Sequence, residues 1–76
     1  MSPHTLLAQR LRDARMATGR SLRDVAAELG PAWTYVKVNQ LELGKQHVRV
    51  TDLLALARLY SVAPEDFVSG LLDSES

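Results

Sequence analysis

The segment SLRDVAAELGPAWTYVKVNQLELG, residues 21–44, decides the fold. Ser21 precedes the apolar residues Leu22, Val25, Ala26 and Leu29, whose i, i+3, i+4, i+7 spacing marks one face of an α-helix. Serine is a good N-cap, and Asp24 three positions on makes an approximate capping box, with Asp where Glu or Gln is usual. Gly30-Pro31 stops this helix. After a turn, Thr34 is the expected cap of a second helix that runs to Gly44. In it Tyr35, Val38 and Leu41 recur every three residues and are expected to face a core. Val36, Asn39, Gln40 and Leu43 lie on the opposite side with Lys37 between them. A mixed polar and apolar outer face on so small a chain marks a surface that reads something.

The flanking sequence is also helical. Pro3 to Ala17 reads as a helix with Ser2 as cap, Pro3 in the first position, Leu7, Leu11 and Ala14 as apolar stripe, and Gly19 as stop. Downstream, Thr51 is the expected cap of a helix carrying Leu53, Leu56, Ala57 and Tyr60 on one side. Ala63-Pro64 opens a last helix, with Glu65 and Asp66 in the first turn, where the helix dipole favours acids. Phe67, Val68, Leu71 and Leu72 are expected to face inward. No segment alternates as a strand does. The fold class is therefore all-α, five helices in one compact domain over residues 1–72 with a disordered polar tail at 73–76. The second and third helices, with a short turn between them, have the spacing of a helix-turn-helix.

Composition narrows the function. Seventy-six residues suffice for one small core. There is no cysteine, hence no disulfide or thiolate metal site, which suits a reducing compartment. The N-terminal stretch reaches Arg10 and Arg12 before any long apolar run, so neither a signal peptide nor a membrane span is read, and a cytoplasmic, nucleoid-associated protein is expected. The net charge of zero conceals an asymmetry. Residues 1–49 hold eight basic against four acidic residues, and residues 50–76 hold one against five. That split suggests a basic working face and an acidic back, although chance in a short chain produces such splits too.

Three groups of residues carry a family resemblance: Leu11-Arg12-Asp13-Ala14-Arg15 with Gly19, Ser21 and Val25 to Gly30; Val38 to Lys45; and Leu53 to Val62 with Pro64 to Val68. They resemble the Xre-type domains, the fold of the lambda and 434 repressors and Cro, over about residues 6 to 72. Two features depart from the common pattern. The turn Gly30 to Tyr35 is about two residues longer, and Leu22 stands where a phosphate-contacting glutamine is usual. Both features resemble the N-terminal domains of BldD-like actinobacterial regulators.

The resemblance implies a sequence-specific, double-stranded-DNA-binding transcriptional regulator with a recognition helix at about 34–43 in the major groove. Base contacts are expected from Thr34, Tyr35, Val36, Lys37, Asn39 and Gln40. Gln40 suits bidentate pairing with adenine, and Val36 suits packing on a thymine methyl. Phosphate contacts are expected from Lys45 and Arg49, with Gln46 and His47 beside them, and from Arg23 and the amides near Ser21. The positions of Arg15 and Glu42 match a pair that ties the first helix to the recognition helix in 434-type domains. Trp33 is read as a turn plug. His4 and His47 are far apart in sequence, so no metal site is expected, and no cofactor is implied. A homodimer is expected, joined through Phe67, Leu71 and Leu72 unless the core absorbs them. The competing reading is a protein-interaction module on the same fold, such as an antitoxin-like partner, favoured by outward-facing Val36 and Leu43. An enzyme is disfavoured, because no glycine-rich phosphate loop, metal-ligand cluster or nucleophile-and-base set is present.

Overall fold

The computed structural model describes residues 2–71. They form α1 (Pro3–Thr18), α2 (Leu22–Leu29), α3 (Tyr35–Glu42), α4 (Val50–Tyr60) and α5 (Pro64–Val68), with no strand among the described residues. The protein is all-α.

Local chemistry sets most of the boundaries. Ser2 Oγ accepts the Thr5 amide at 3.1 Å, and Thr34 Oγ1 accepts the Lys37 amide at 3.1 Å. The box that starts α2 is complete. The Ser21 amide donates to Asp24 Oδ2 at 2.9 Å, and the Asp24 amide donates to Ser21 Oγ at 3.0 Å. The Ser21 backbone amide first, and then the Ser21 hydroxyl, hold the Asp24 carboxyl below its ordinary pKa. Gly44, at φ 73°, turns the chain out of α3 in the left-handed region that L side chains avoid.

α4 starts earlier than its threonine suggests. Its cap residue is Arg49, not Thr51, because the Asp52 carboxylate reaches back to the Arg49 amide at 3.3 Å. Thr51 is thereby drawn into the first turn.

Every helix contributes to a single core. Leu11 comes from α1, Val25 and Ala26 from α2, Val38 and Leu41 from α3, Leu56, Ala57 and Tyr60 from α4, and Phe67 from α5. Trp33 is half-buried in the α2–α3 turn and packs on the edge of this cluster.

Three expectations change. Tyr35 is exposed rather than in the core stripe; as the first residue of α3 it stands beyond the rim of the core. Val68 is exposed too, because α5 has only five residues and Phe67 takes its single inward position. Phe67 is buried, so it offers no surface to a second copy; Leu71 is half-buried, and Leu72 lies outside the described residues. Arg10 Nη1 from α1 donates to the carbonyls of Phe67 at 3.0 Å and Ser69 at 2.6 Å, satisfying backbone acceptors that so short a helix leaves open.

The Tyr60 hydroxyl is buried with no hydrogen-bond partner among the described residues. Burial, and then the charge of Glu42, push its pKa above the ordinary phenol value, so it stays neutral. An unpaired buried hydroxyl costs more than it contributes. Tyr60→Phe is therefore expected to leave stability unchanged or raise it by up to about 1 kcal/mol in urea melts. A loss of stability would show that the hydroxyl is bonded after all.

Candidate nucleic-acid interface

At 100° per residue, the two sides of α3 separate cleanly. Val38, Leu41 and Glu42 are buried. Val36, Gln40 and Leu43 point directly away, and Val36 and Leu43 remain 48% and 56% exposed, so no other helix covers them. Asn39 lies on one flank, beside Arg12 of α1 and Leu22 of α2, and is half-buried there. Lys37 lies on the other flank, toward α4.

Lys37 is engaged within the fold. Its Nζ sits 3.2 Å from Asp52 Oδ1 and 4.1 Å from the centroid of the Trp33 ring. One carboxylate thus caps α4 through the Arg49 amide and holds α3 through Lys37. The lysine reads as a brace between α3 and α4 more than as a group extended toward a partner. Neither the two-residue lengthening of the turn nor the spacing of α3 signals this, since the partner is fifteen residues away in sequence.

Thr34 is spent in its capping bond. Tyr35 presents an exposed ring, with the Arg23 guanidinium carbon 4.2 Å from its centroid. This stacked pair borders an open apolar hollow of about 720 Å³ between α2 and the start of α3, whose walls include Ala27, Pro31, Trp33 and Val36. Ser21 has its amide and hydroxyl committed to Asp24, so the amides left for an outside acceptor at the start of α2 are those of Leu22 and Arg23. Lys45, Gln46, His47 and Arg49 are exposed along the loop after α3. His4 and His47, remote in sequence, meet here with ring centroids 5.0 Å apart, and His4 Nε2 donates to the Gly44 carbonyl at 2.8 Å. That contact pins the loop to the first turn of α1.

Arg15 and Glu42 form a two-pronged pair. Nε donates to Oε2 at 2.8 Å and Nη2 to Oε1 at 3.1 Å, while Nη1 donates to the Arg20 carbonyl at 2.9 Å. The side chains are only 14% and 5% exposed. The bond to Glu42 is the main cause that raises the Arg15 pKa, so the guanidinium is permanently charged.

The basic residues of the first 49 therefore divide in two. Arg10 caps α5, Arg15 and Arg20 pair with Glu42 and Glu28, and Lys37 pairs with Asp52. Arg12, Arg23, Lys45 and Arg49 have no carboxylate partner among the described residues, and all four are exposed. Arg12 and its neighbour Gln9 are exposed beside Asn39 and Leu43, and the sequence reading did not single them out. The signal was present: Thr5, Gln9 and Arg12 recur at four- and three-residue spacing on the solvent side of α1.

An outward helix face with Arg12 and Arg23 at its sides and Lys45 and Arg49 in the next loop, none paired with a carboxylate among the described residues, suits a polyanion. A family model described as "Helix-turn-helix domain" matches residues 6–68. The chain belongs to this family of helix-turn-helix domains, a kind of domain that typically binds DNA. No curated protein and no solved structure matches the chain. No helix among the described residues is long and apolar enough to cross a membrane.

Proposed function

We propose that the protein is a sequence-specific transcriptional regulator of the Xre type, with the BldD-like turn noted above, that binds double-stranded DNA with α3 in the major groove. The observation that carries this reading is the uncovered face of α3, with Arg12 and Arg23 beside its residues and exposed Lys45 and Arg49 in the loop that follows. A helix fits the major groove, and side chains on its outer face reach base edges there.

Gln40 and Asn39 are the amide readers, and Val36 packs on a thymine methyl. Tyr35 is held by Arg23 at the entrance to the groove, with Thr34 at the helix start. Lys37, braced on Asp52, sets the angle of α3 and reaches bases only if that pair opens. Lys45 and Arg49 hold phosphates, with Gln46 and His47 beside them. Arg23, together with the free amides that follow Ser21, holds another. The working unit is a homodimer in the cytoplasm that sets two copies of α3 about 34 Å apart on a palindromic or direct-repeat operator. With Phe67 buried, the second copy has Val50, Leu54 and Val68 as exposed apolar contacts.

Fluorescence polarisation with duplexes selected from random DNA, read at two salt concentrations, tests this. Lys45→Ala is expected to weaken binding to all sequences alike and to flatten the salt dependence by about one unit of slope. An unchanged slope removes Lys45 from the phosphate contacts. Exposed Val36 and Leu43 favour one other reading, a protein-binding module; a chain with no affinity for any duplex at low salt would support it.

A further inference from the structure

A second cleft, of about 520 Å³, opens between α1 and α3, with Leu22 at the start of α2 as its third wall. It differs in kind from the apolar hollow at the other end of α3. Gln9 and Arg12 enter from α1, Asn39 from α3 and Leu43 from its C-cap, and the Arg15–Glu42 pair lies among them. We propose that this cleft seats one backbone phosphate of the bound duplex, with Arg12 supplying the charge and Gln9 a neutral donor, next to the base-reading Asn39. The proposal rests on the DNA-binding reading and adds a contact that the resemblance did not imply.

The charge balance of the cleft supports an anion. Glu42 is its one carboxylate, and Arg15 compensates it with two hydrogen bonds at 2.8 and 3.1 Å. Glu42 therefore neither repels an incoming phosphate nor is free to turn toward Arg12. Arg12 remains as a full positive charge without a carboxylate partner among the described residues, exposed at the mouth. Its guanidinium fork matches two phosphate oxygens, and the amide NH2 group of Gln9 donates without adding charge.

Position supports the duplex as the source of that phosphate. Asn39 belongs both to this cleft and to the flank of the α3 outer face, so an anion held by Arg12 lies against the helix that enters the groove. None of Lys45, Gln46, His47 or Arg49 lines the cleft, so the loop cations do not duplicate the contact. A phosphate here fixes how far α3 rolls toward its Asn39 side, which decides whether Asn39 or Gln40 faces a given base.

The test uses the full chain and a duplex recovered by selection. Arg12→Ala is expected to lose on the order of tenfold in affinity at 0.1 M salt, equally for all duplexes, with a slope smaller by about one. Arg12→Lys keeps the slope and recovers part of the affinity, since the charge stays and the fork goes. Gln9→Ala weakens binding less and leaves the slope unchanged. A set of duplexes with one phosphate replaced by an uncharged methylphosphonate locates the partner: at one position per bound domain the wild type weakens and Arg12→Ala weakens no further. Circular dichroism and melting of each variant are expected to match wild type, as Arg12 is exposed.

An unchanged Arg12→Ala slope beside a wild type that binds normally overturns this inference alone. So do strictly additive losses at every methylphosphonate position. A wild type that binds no duplex overturns the DNA-binding reading and the cleft with it. Inorganic phosphate added at constant ionic strength is expected to leave the melting of both proteins unchanged. A rise in wild-type Tm that Arg12→Ala lacks would give the cleft to a free anion instead and overturn the assignment.

Discussion

Glu42→Ala is expected to destabilise the domain by about 3–5 kcal/mol, the cost of leaving one partner of a buried ion pair uncompensated. The Arg15 guanidinium is 14% exposed, and without Glu42 it keeps one hydrogen bond, to the Arg20 carbonyl at 2.9 Å. A chain of 76 residues has roughly 4–11 kcal/mol of total stability, so this single loss consumes a large share of it. The pair as a whole contributes far less than its breakage costs, because two charges had to be desolvated to form it. Arg15→Met combined with Glu42→Leu is therefore expected to melt above either single variant and near wild type. Urea melts of the three variants check this; a loss under about 1 kcal/mol for Glu42→Ala would show that the pair is not structural. The Arg20–Glu28 pair is the control. It is shorter, at 2.6 Å, but its side chains are 29% and 45% exposed, and Glu28→Ala should cost at most about 1 kcal/mol.

Leu41→Ala is the second large effect. Leu41 is fully buried in α3 and belongs to the core to which all five helices contribute. Removing its isobutyl group is expected to cost about 2–5 kcal/mol, from lost transfer free energy and from a cavity that the packed neighbours only partly fill. Leu43, two residues on and 56% exposed, should lose little stability when cut to alanine. Its cost appears in partner binding instead. Thermal melts and polarisation titrations of the two variants thus separate the faces of one helix. If Leu43→Ala destabilised as much as Leu41→Ala, the outer face would have to be covered by something within the domain.

Much of the fold was legible because its signals are local. The caps at Ser2, Ser21 and Thr34 act over three residues, and the left-handed turn at Gly44 needs no distant partner. The errors came where a local signal had a local competitor or said nothing about the tertiary boundary. Thr51 is a good cap by type, but Asp52 bonds the Arg49 amide and starts α4 earlier. Tyr35 has the right spacing for the core, but spacing carries no information on where the rim of the core falls. The candidate site was less legible. The α3 outer face follows from helical period, while the fate of each cation depends on which carboxylate the fold brings near it.

The helix-turn-helix of residues 21–44 was therefore determined by sequence alone. Two apolar faces of period 3.6, two caps and a glycine turn admit no other local structure, since each acts within a few residues and their effects agree. Tertiary structure alone decided which charges remain for a partner. It placed Asp52 against Lys37, Glu42 against Arg15 and His4 against His47. It also opened a polar cleft beside Asn39, with Arg12 at its mouth and unpaired among the described residues. Ion pairing depends on distances of about 3 Å between residues far apart in the chain, which periodicity does not encode. A zero net charge thus conceals four exposed cations, Arg12, Arg23, Lys45 and Arg49, that no carboxylate among the described residues compensates.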